Sequence, residues 1–321
     1  MLSFVPIEEL EVSVIKSLVD PQTIKNYAEK NYSFEGPIKS SILSLGVNDM
    51  YLIETAGGKY VLRLSRAEKY TSLTPAEFLF ELNWLEYLNQ HQVPVSYPIR
   101  RQDKTLCGLI QAPEGLRYAT LFSYGAGTTE MNVEQALIFG KALAQLHMVS
   151  DSFEEVMNSV DLDIDHLIYQ PAQRIKDFLQ VAQPEKCVHL DELVEQLAQD
   201  ISTMEITKGG IGIIAGDVHG QNQHFTADNQ LTMFDFEFCA YGYRLYDLAT
   251  FKWNRGARHA DLWGAFLAGY QSERVLTEAE ISAIDIFVKA RNLWWMGALI
   301  ELKEYQHKLD HKFWERAFSQ F

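Results

Sequence analysis

Gly216-Asp217-Val218-His219-Gly220-Gln221-Asn222, followed shortly by Phe234-Asp235-Phe236, sets out a carboxylate, an amide five residues on, and a second carboxylate ending an apolar run. Phosphoryl transfer needs such a set, because the attacking hydroxyl must lose its proton and hard oxygen donors must hold a metal ion against the phosphates. Asp217 is the expected catalytic base, and Asn222 and Asp235 offer a neutral and an anionic oxygen to Mg²⁺. ATP and Mg²⁺ are therefore the expected cofactors.

Residues 211–215 read as the strand that delivers this loop, and a hairpin turning at Ala227-Asp228-Asn229 returns the chain to Asp235. Upstream, Gly125-Ala126-Gly127 reads as a hinge where the pattern changes. Before it, strands are expected over 38–45, 50–55 and 59–65, joined by the turns Gly46-Val47-Asn48-Asp49 and Ala56-Gly57-Gly58, and again near 106–111 and 118–124. Residues 8–30 mix apolar and charged positions in a helical manner. A second helix starts at Thr74-Pro75-Ala76-Glu77, with a capping Thr, Pro at the first helical position and Glu three residues after the cap. It should run to about Gln90, since Val93-Pro94 cannot continue it. Beyond the hinge the period is helical over 133–148, 173–181, 190–204, 247–253, 260–270 and 281–305. The expectation is an α+β protein, with a lobe over 1–124 built on an antiparallel sheet and a mainly helical lobe over 125–321.

A chain of 321 residues, 47% hydrophobic and 22% charged, is comfortable for two such lobes. The apolar runs are too short for a membrane span, and Met1-Leu2-Ser3-Phe4-Val5-Pro6 lacks the basic region and long apolar stretch of a secretory signal. Cys107, Cys187 and Cys239 lie far apart, which supports neither a disulfide framework nor a metal knuckle and fits a reducing cytoplasm. Net charge is −15 and unevenly spread: 14 acidic against 12 basic residues up to position 124, then 29 against 16. An acidic surface opposes nucleic-acid binding and favours a cationic acceptor by long-range steering. The same surface is equally read as an aid to solubility.

The Asp217 to Asn222 spacing matches the Asp-x-x-x-x-Asn core of the kinase catalytic loop. The stretch resembles the aminoglycoside phosphotransferase and choline kinase-like superfamily. Lys59-Tyr60-Val61-Leu62-Arg63-Leu64, Glu81, Leu121-Phe122-Ser123-Tyr124, Ala142-Leu143-Ala144-Gln145-Leu146-His147 and Arg244-Leu245-Tyr246-Asp247-Leu248-Ala249 resemble that family's landmarks in its order. The group resembled most closely includes type II homoserine kinase. The resemblance implies a bilobal protein-kinase-like fold and ATP-dependent phosphorylation of a hydroxyl on a small molecule, such as homoserine, an amino alcohol like choline, or an aminoglycoside.

By the same resemblance, Arg63 stands where relatives carry a nucleotide-binding lysine, and Glu81 matches its helical partner. The bland alternative is a surface arginine and a solvated glutamate. The turn holding Asn48 would cover the phosphates with backbone N–H groups, and Ser123, Tyr124 and Gly125 would present hinge backbone to adenine. Ala215 replaces the family's usual histidine, which puts loop rigidity in question. His219 reads as a loop organiser, and Asp247 as a structural anchor at a helix N-terminus, where the dipole favours a carboxylate. Glu237 stays open between a second metal-site carboxylate, a contact for a cationic acceptor and a polar strand-end residue. The rings of Tyr241, Tyr243, Tyr246, Trp253, Trp263, Trp294 and Trp295 are read either as a cation–π surface for an acceptor ammonium or as core. Two rival functions follow: a Ser/Thr protein kinase, and a nucleotide-binding pseudokinase motivated by Arg63 and Ala215.

Overall fold

Tight turns near the N-terminus decide the first sheet. The computed structural model describes residues 13–155, 159–180, 185–207, 209–256, 258–303 and 305–321. The chain gathers into two compact units, Met1–Ser72 with Arg100–Leu121, and Leu73–Ile99 with Phe122–Phe321. The helix at 74–90, expected with the N-terminal lobe, gathers with the second unit.

In the first unit, β1 (Lys39–Leu45), β2 (Asp49–Thr55), β3 (Gly58–Leu64), β4 (Gly108–Ala112) and β5 (Gly115–Ser123) form one sheet in the order β1-β2-β3-β5-β4. β1 with β2, β2 with β3 and β4 with β5 pair antiparallel. Alternation buries Tyr51 and Ile53 of β2 and Leu62 and Leu64 of β3. α1 (Pro21–Asn31) packs on β1 and β2 through Ile24 and Ala28. It starts later than the helical reading of residues 8–30: Asp20 caps it, Pro21 takes the first turn, and residues 13–20 are not helical. The physical reason is Pro21, whose missing N–H is harmless only in a helix's first turn. Residues 8–12 lie outside the described residues. A short α2 (Ala67–Ser72) follows β3.

The second unit begins with α3 (Pro75–Gln90), where Thr74 Oγ1 accepts from Glu77 N–H and the Glu77 carboxylate accepts from Thr74 N–H. Such a cap contributes on the order of 1 kcal/mol. α3 buries Trp84, whose indole N–H donates to Ser150 Oγ at 2.9 Å at the end of α4 (Val133–Ser150). α4 lies against α8 (Ala260–Glu273) closely enough that a Cβ on Gly140 would sit 1.9 Å from the Phe266 carbonyl oxygen. Between them the chain forms β6 (Asp161–Leu162), α5 (Gln170–Leu179), α6 (Glu185–Ser202), β7 (Ile211–Ile214), β8 (Gln223–Phe225), β9 (Leu231–Met233), β10 (Ala240–Tyr243) and α7 (Leu245–Phe251). α9 (Glu278–Glu301) and α10 (His311–Phe318) complete the chain. α9 starts earlier than the 281–305 period suggests, because Thr277 and Glu280 form a capping box there, and it ends earlier, at Glu301. Among the described residues, no helix is long and apolar enough to cross a membrane.

Two small β elements frame the loop that matters. β10 pairs antiparallel with β7 and parallel with β6, while β8 and β9 form a hairpin whose turn holds Asn229 at φ +62°. The loop 215–222 leaves β7 and enters β8, and the hairpin brings Phe234 back so that its N–H donates to the Asn222 carbonyl at 3.0 Å.

Candidate active site

The start of the loop is held by one carboxylate. Asp247, on the first turn of α7, accepts the Ala215 N–H at 2.7 Å and the Gly216 N–H at 2.8 Å. Its Oδ2 also lies 3.0 Å from His147 Nε2, and His147 Nδ1 lies 2.9 Å from the Tyr270 hydroxyl. Burial pushes the His147 pKa down, against the opposing pull of Asp247, so the ring is neutral and donates from Nε2. Gly216 sits at φ +78°, and a Cβ there would meet the Phe238 carbonyl oxygen at 1.9 Å. Only glycine fits that position.

Further along, Gly220 is clamped on both sides: its N–H donates to Asn254 Oδ1 at 3.1 Å, and its carbonyl accepts from Arg255 Nη2 at 2.5 Å. Both partners come from the π-helical turn Lys252–Gly256 that follows α7. These bonds and those of Asp247 fix the loop without help from the side chain at Ala215, which is buried.

Asp217 is thereby carried into a cleft lined by Asp217, Val218, Asn222, Phe234, Asp235 and Phe236 among others. Its carboxylate is 10% exposed, and Oδ1 accepts from Arg291 Nη2 at 2.5 Å. Oδ2 has longer neighbours: Asn222 Nδ2 at 3.4 Å and His219 Nε2 at 3.5 Å. His219 Nδ1 accepts the Gln221 N–H at 3.1 Å, which leaves the ring proton on Nε2, facing Asp217. Burial lowers the His219 pKa, so this is a neutral contact. Asn222 is buried, and its amide nitrogen donates to the Asp217 carbonyl at 3.1 Å, which turns Oδ1 the opposite way.

Asp235 lines the same cleft with φ +65°, in the left-handed region. A non-glycine residue held there costs about 1 to 3 kcal/mol, and such strain concentrates where side-chain direction matters. Its neighbour Phe236 is buried edge-on against Trp84 at 5.6 Å, so α3 supports this end of the hairpin. Glu237 is half-buried and is not among the residues lining the cleft.

Sequence reasoning missed Arg291. It lies on α9 and is buried, with its guanidinium carbon 4.9 Å from the Trp294 ring centroid, 5.4 Å from Trp253 and 5.8 Å from Tyr246 and Trp295. Four of the seven rings read as an acceptor surface, Tyr246, Trp253, Trp294 and Trp295, thus surround the chain's own cation. The signal was present as an arginine three and four residues before paired tryptophans, on one helical face.

The remaining residues named from sequence sit elsewhere. Asn48 is buried in the β1–β2 turn, where its carbonyl accepts the Gly46 N–H at 3.2 Å, and its Oδ1 has no hydrogen-bond partner among the described residues. Arg63 and Glu81 are both 4% exposed, which corrects the reading of a surface arginine and a solvated glutamate. Ser123 donates its N–H to Tyr97 O at 2.9 Å and accepts from Ser96 Oγ at 2.7 Å, while Gly125 O lies 2.7 Å from His224 Nδ1. Tyr124 stands between them, half-buried.

The sequence model of the phosphotransferase enzyme family, which includes the aminoglycoside phosphotransferases, matches residues 42–281. The chain belongs to this family. A protein of Deinococcus radiodurans is 30% identical over 292 residues, covering 89% of this chain and 83% of the relative. A homoserine kinase of Methylorubrum populi is 27% identical over 285 residues, covering 82% and 84%. Among solved structures, an amicoumacin kinase in complex with AMP-PNP, Ca²⁺ and amicoumacin superposes with a TM-score of 0.75 at 18% identity, covering 94% of this chain and 92% of that one. The fold is α+β and protein-kinase-like, with an antiparallel sheet in the N-terminal part and a mainly helical C-terminal part. Within this phosphotransferase, Asp217, Asn222 and Asp235 share one cleft, and Arg291 lies beyond the segment that the family model matches.

Proposed function

We propose that this protein is an ATP-dependent O-phosphotransferase that phosphorylates a hydroxyl of a small cationic or zwitterionic metabolite or antibiotic, of the homoserine, amino alcohol or aminoglycoside type. The observation that carries this reading is the shared cleft: a carboxylate with one oxygen tied to Arg291 and the other beside the Asn222 amide, with a second carboxylate, Asp235, lining the same cleft. Asp217 takes the proton of the acceptor hydroxyl as its oxygen attacks the terminal phosphorus of ATP and the bond to ADP breaks.

Asn222 Oδ1 and the Asp235 carboxylate are the donors we assign to Mg²⁺. They fit it: both are hard oxygens, Asn222 has its nitrogen committed to the loop, and Mg²⁺ is held by few protein oxygens with phosphate and water completing its shell. Bound there, the ion would neutralise charge on the phosphates. Asn48, Arg63, Glu81 and the segment 123–125 are assigned to the nucleotide. The division of labour is a nucleotide-binding lobe up to residue 124 and a catalytic, acceptor-binding lobe over 125–321. His219 and Asp247 serve as loop supports, and Glu237 is kept as a contact for acceptor or second metal.

The acidic balance after residue 124 supports a cationic acceptor and argues against nucleic acid. Three scattered cysteines support a cytoplasmic setting. A screen of homoserine, choline, aminopropanol and kanamycin with Mg²⁺-ATP, scored by ADP release and acceptor mass, tests the assignment. We expect one class to gain about 80 Da, the mass of a transferred phosphoryl group. Label appearing only on protein after incubation with lysate would select the protein-kinase rival, and absence of any Mg²⁺-dependent turnover would select the pseudokinase.

A further inference from the structure

Arg291 is an expensive residue to bury. Three of its five N–H groups are bonded, to Asp217 Oδ1, to Gly216 O at 3.3 Å and to the Tyr246 hydroxyl at 3.1 Å, and Nε has no partner among the described residues. Removing a guanidinium from water costs several kcal/mol, and an apolar side chain of similar volume would fill the same space among the rings without that cost. The rings offset part of it through their π faces.

What the charge supplies is direction. With Oδ1 drawn into the interior by Arg291, the other carboxylate oxygen is the one left beside Asn222 and His219, at distances too long for strong hydrogen bonds. The Tyr246 phenol, its pKa pushed up to about 12 by burial, stays neutral and accepts from Arg291, so the guanidinium is held on two sides at once.

We propose that Arg291 is a positioning residue that divides the labour of the Asp217 carboxylate, anchoring Oδ1 so that Oδ2 alone receives the acceptor proton, and that it permanently fills the Tyr246, Trp253, Trp294 and Trp295 cage. The inference rests on the reading of Asp217 as the base. One consequence concerns specificity: these four rings are already occupied by a cation, so an acceptor ammonium group is recognised elsewhere.

The test uses chemical rescue in the full-length chain. Arg291→Ala should leave an aromatic pocket ending on a carboxylate, the shape and charge of a guanidinium site. We expect kcat to fall about 100-fold, the usual loss for a reacting group misplaced by about 1 Å, with KM for ATP unchanged within about two-fold. Millimolar methylguanidinium should raise the melting midpoint of the variant and restore at least about ten-fold of the lost kcat, with no effect on wild type. Tetramethylammonium, which fills a cage but donates no hydrogen bond, should raise the midpoint without restoring turnover.

Arg291→Lys keeps the charge on a single point donor, and should lose about ten-fold in kcat with KM for ATP intact. Should the alanine variant not fold, the lysine variant decides the matter. Wild-type kcat in either variant overturns the proposal, as does methylguanidinium that stabilises the alanine variant yet restores no turnover. Turnover is read by ADP release with whichever of homoserine, choline, aminopropanol or kanamycin the wild type uses. If the wild type shows no Mg²⁺-dependent turnover of ATP with these acceptors or with protein, the reading of Asp217 as base fails first, and the positioning role fails with it. An active wild type with an equally active alanine variant refutes the inference alone.

Discussion

Arg117 and Arg291 are both buried arginines paired to an aspartate, one in each compact unit, and they differ in how completely their charge is met. Arg117 spends all five N–H groups: on Asp49 at 2.7 Å, Glu114 at 3.4 Å, and the carbonyls of Ser65, Leu64 and Ser17 at 2.5, 3.1 and 3.3 Å. Asp49 gains a second cation, Lys16, at 2.8 Å. Both side chains of the Arg117–Asp49 pair are 0% exposed, and their bonds tie β2, β3, β5 and the segment before α1 together. Arg291 makes fewer bonds, leans on aromatic faces, and ends on a carboxylate that still reaches a cleft. A saturated pair of this kind holds structure together. To the under-saturated one at a cleft we assign the orienting of a reacting group.

The contrast predicts opposite responses to mutation. Asp217→Asn should lower kcat by about 10³- to 10⁴-fold, a barrier increase of ~4 to 5 kcal/mol, while the urea midpoint of unfolding moves little. Steady-state rates beside a urea titration check both halves, and full turnover in the variant would reject Asp217 as base. Arg117→Met should do the reverse. It strands Asp49 with Lys16 alone in a buried site, and we expect a loss of about 4 kcal/mol in folding stability, with kcat of the remaining folded fraction close to wild type. If Arg117→Met instead reduced kcat at unchanged stability, the distinction between the two pairs would fall.

Asp247 tests the ground between them, because it is buried like Asp49 yet bonded directly to the backbone of the loop that carries Asp217. Asparagine there offers one acceptor oxygen for two N–H groups and turns its own NH₂ toward the other. We expect Asp247→Asn to lose about 2 to 3 kcal/mol of stability and about 10²-fold in kcat together, the signature of a support whose loss moves the base. Paired denaturation and rate measurements separate that joint loss from either loss alone.

What the sequence made legible was chemistry confined to a few adjacent residues. The Thr74 capping box, the β2–β3 turn and the hairpin turn through Asn229 are set by short-range bonds and backbone limits, and they sit where their residues imply. The Asp20–Pro21 start of α1 and the Thr277–Glu280 start of α9 carried equally local signals, which the broader apolar period obscured. The spacing of Asp217, Asn222 and Asp235 was also local, since one loop and one hairpin bring them into a single cleft. Arg291 was not, because it lies 74 residues from Asp217 and no periodicity says which carboxylate a helix arginine will meet. The left-handed backbone at Asp235 was hidden for a related reason, as it lies at the hairpin end, where Phe236 meets Trp84 edge-on across a long sequence separation.

The smallest effect tests whether the Asp247 anchor belongs with the stabilising pair. His147 is enclosed by Asp247, Tyr270, Arg244 and Arg274, and burial is the main reason its pKa lies below the ordinary value of 6.5. The unfolded chain takes up a proton near that ordinary value, while the folded chain resists until a lower pH. The stabilisation is therefore fully present above about pH 6.5 and is lost as pH falls from there toward the folded-state pKa. The slope is at most ~1.4 kcal/mol per pH unit for one proton. His147→Gln removes that titration, so between pH 7 and pH 5.5 its urea midpoint should fall less steeply than the wild type's. Parallel slopes would mean that His147 protonates without resisting, and that the Asp247 anchor is looser than its hydrogen bonds imply.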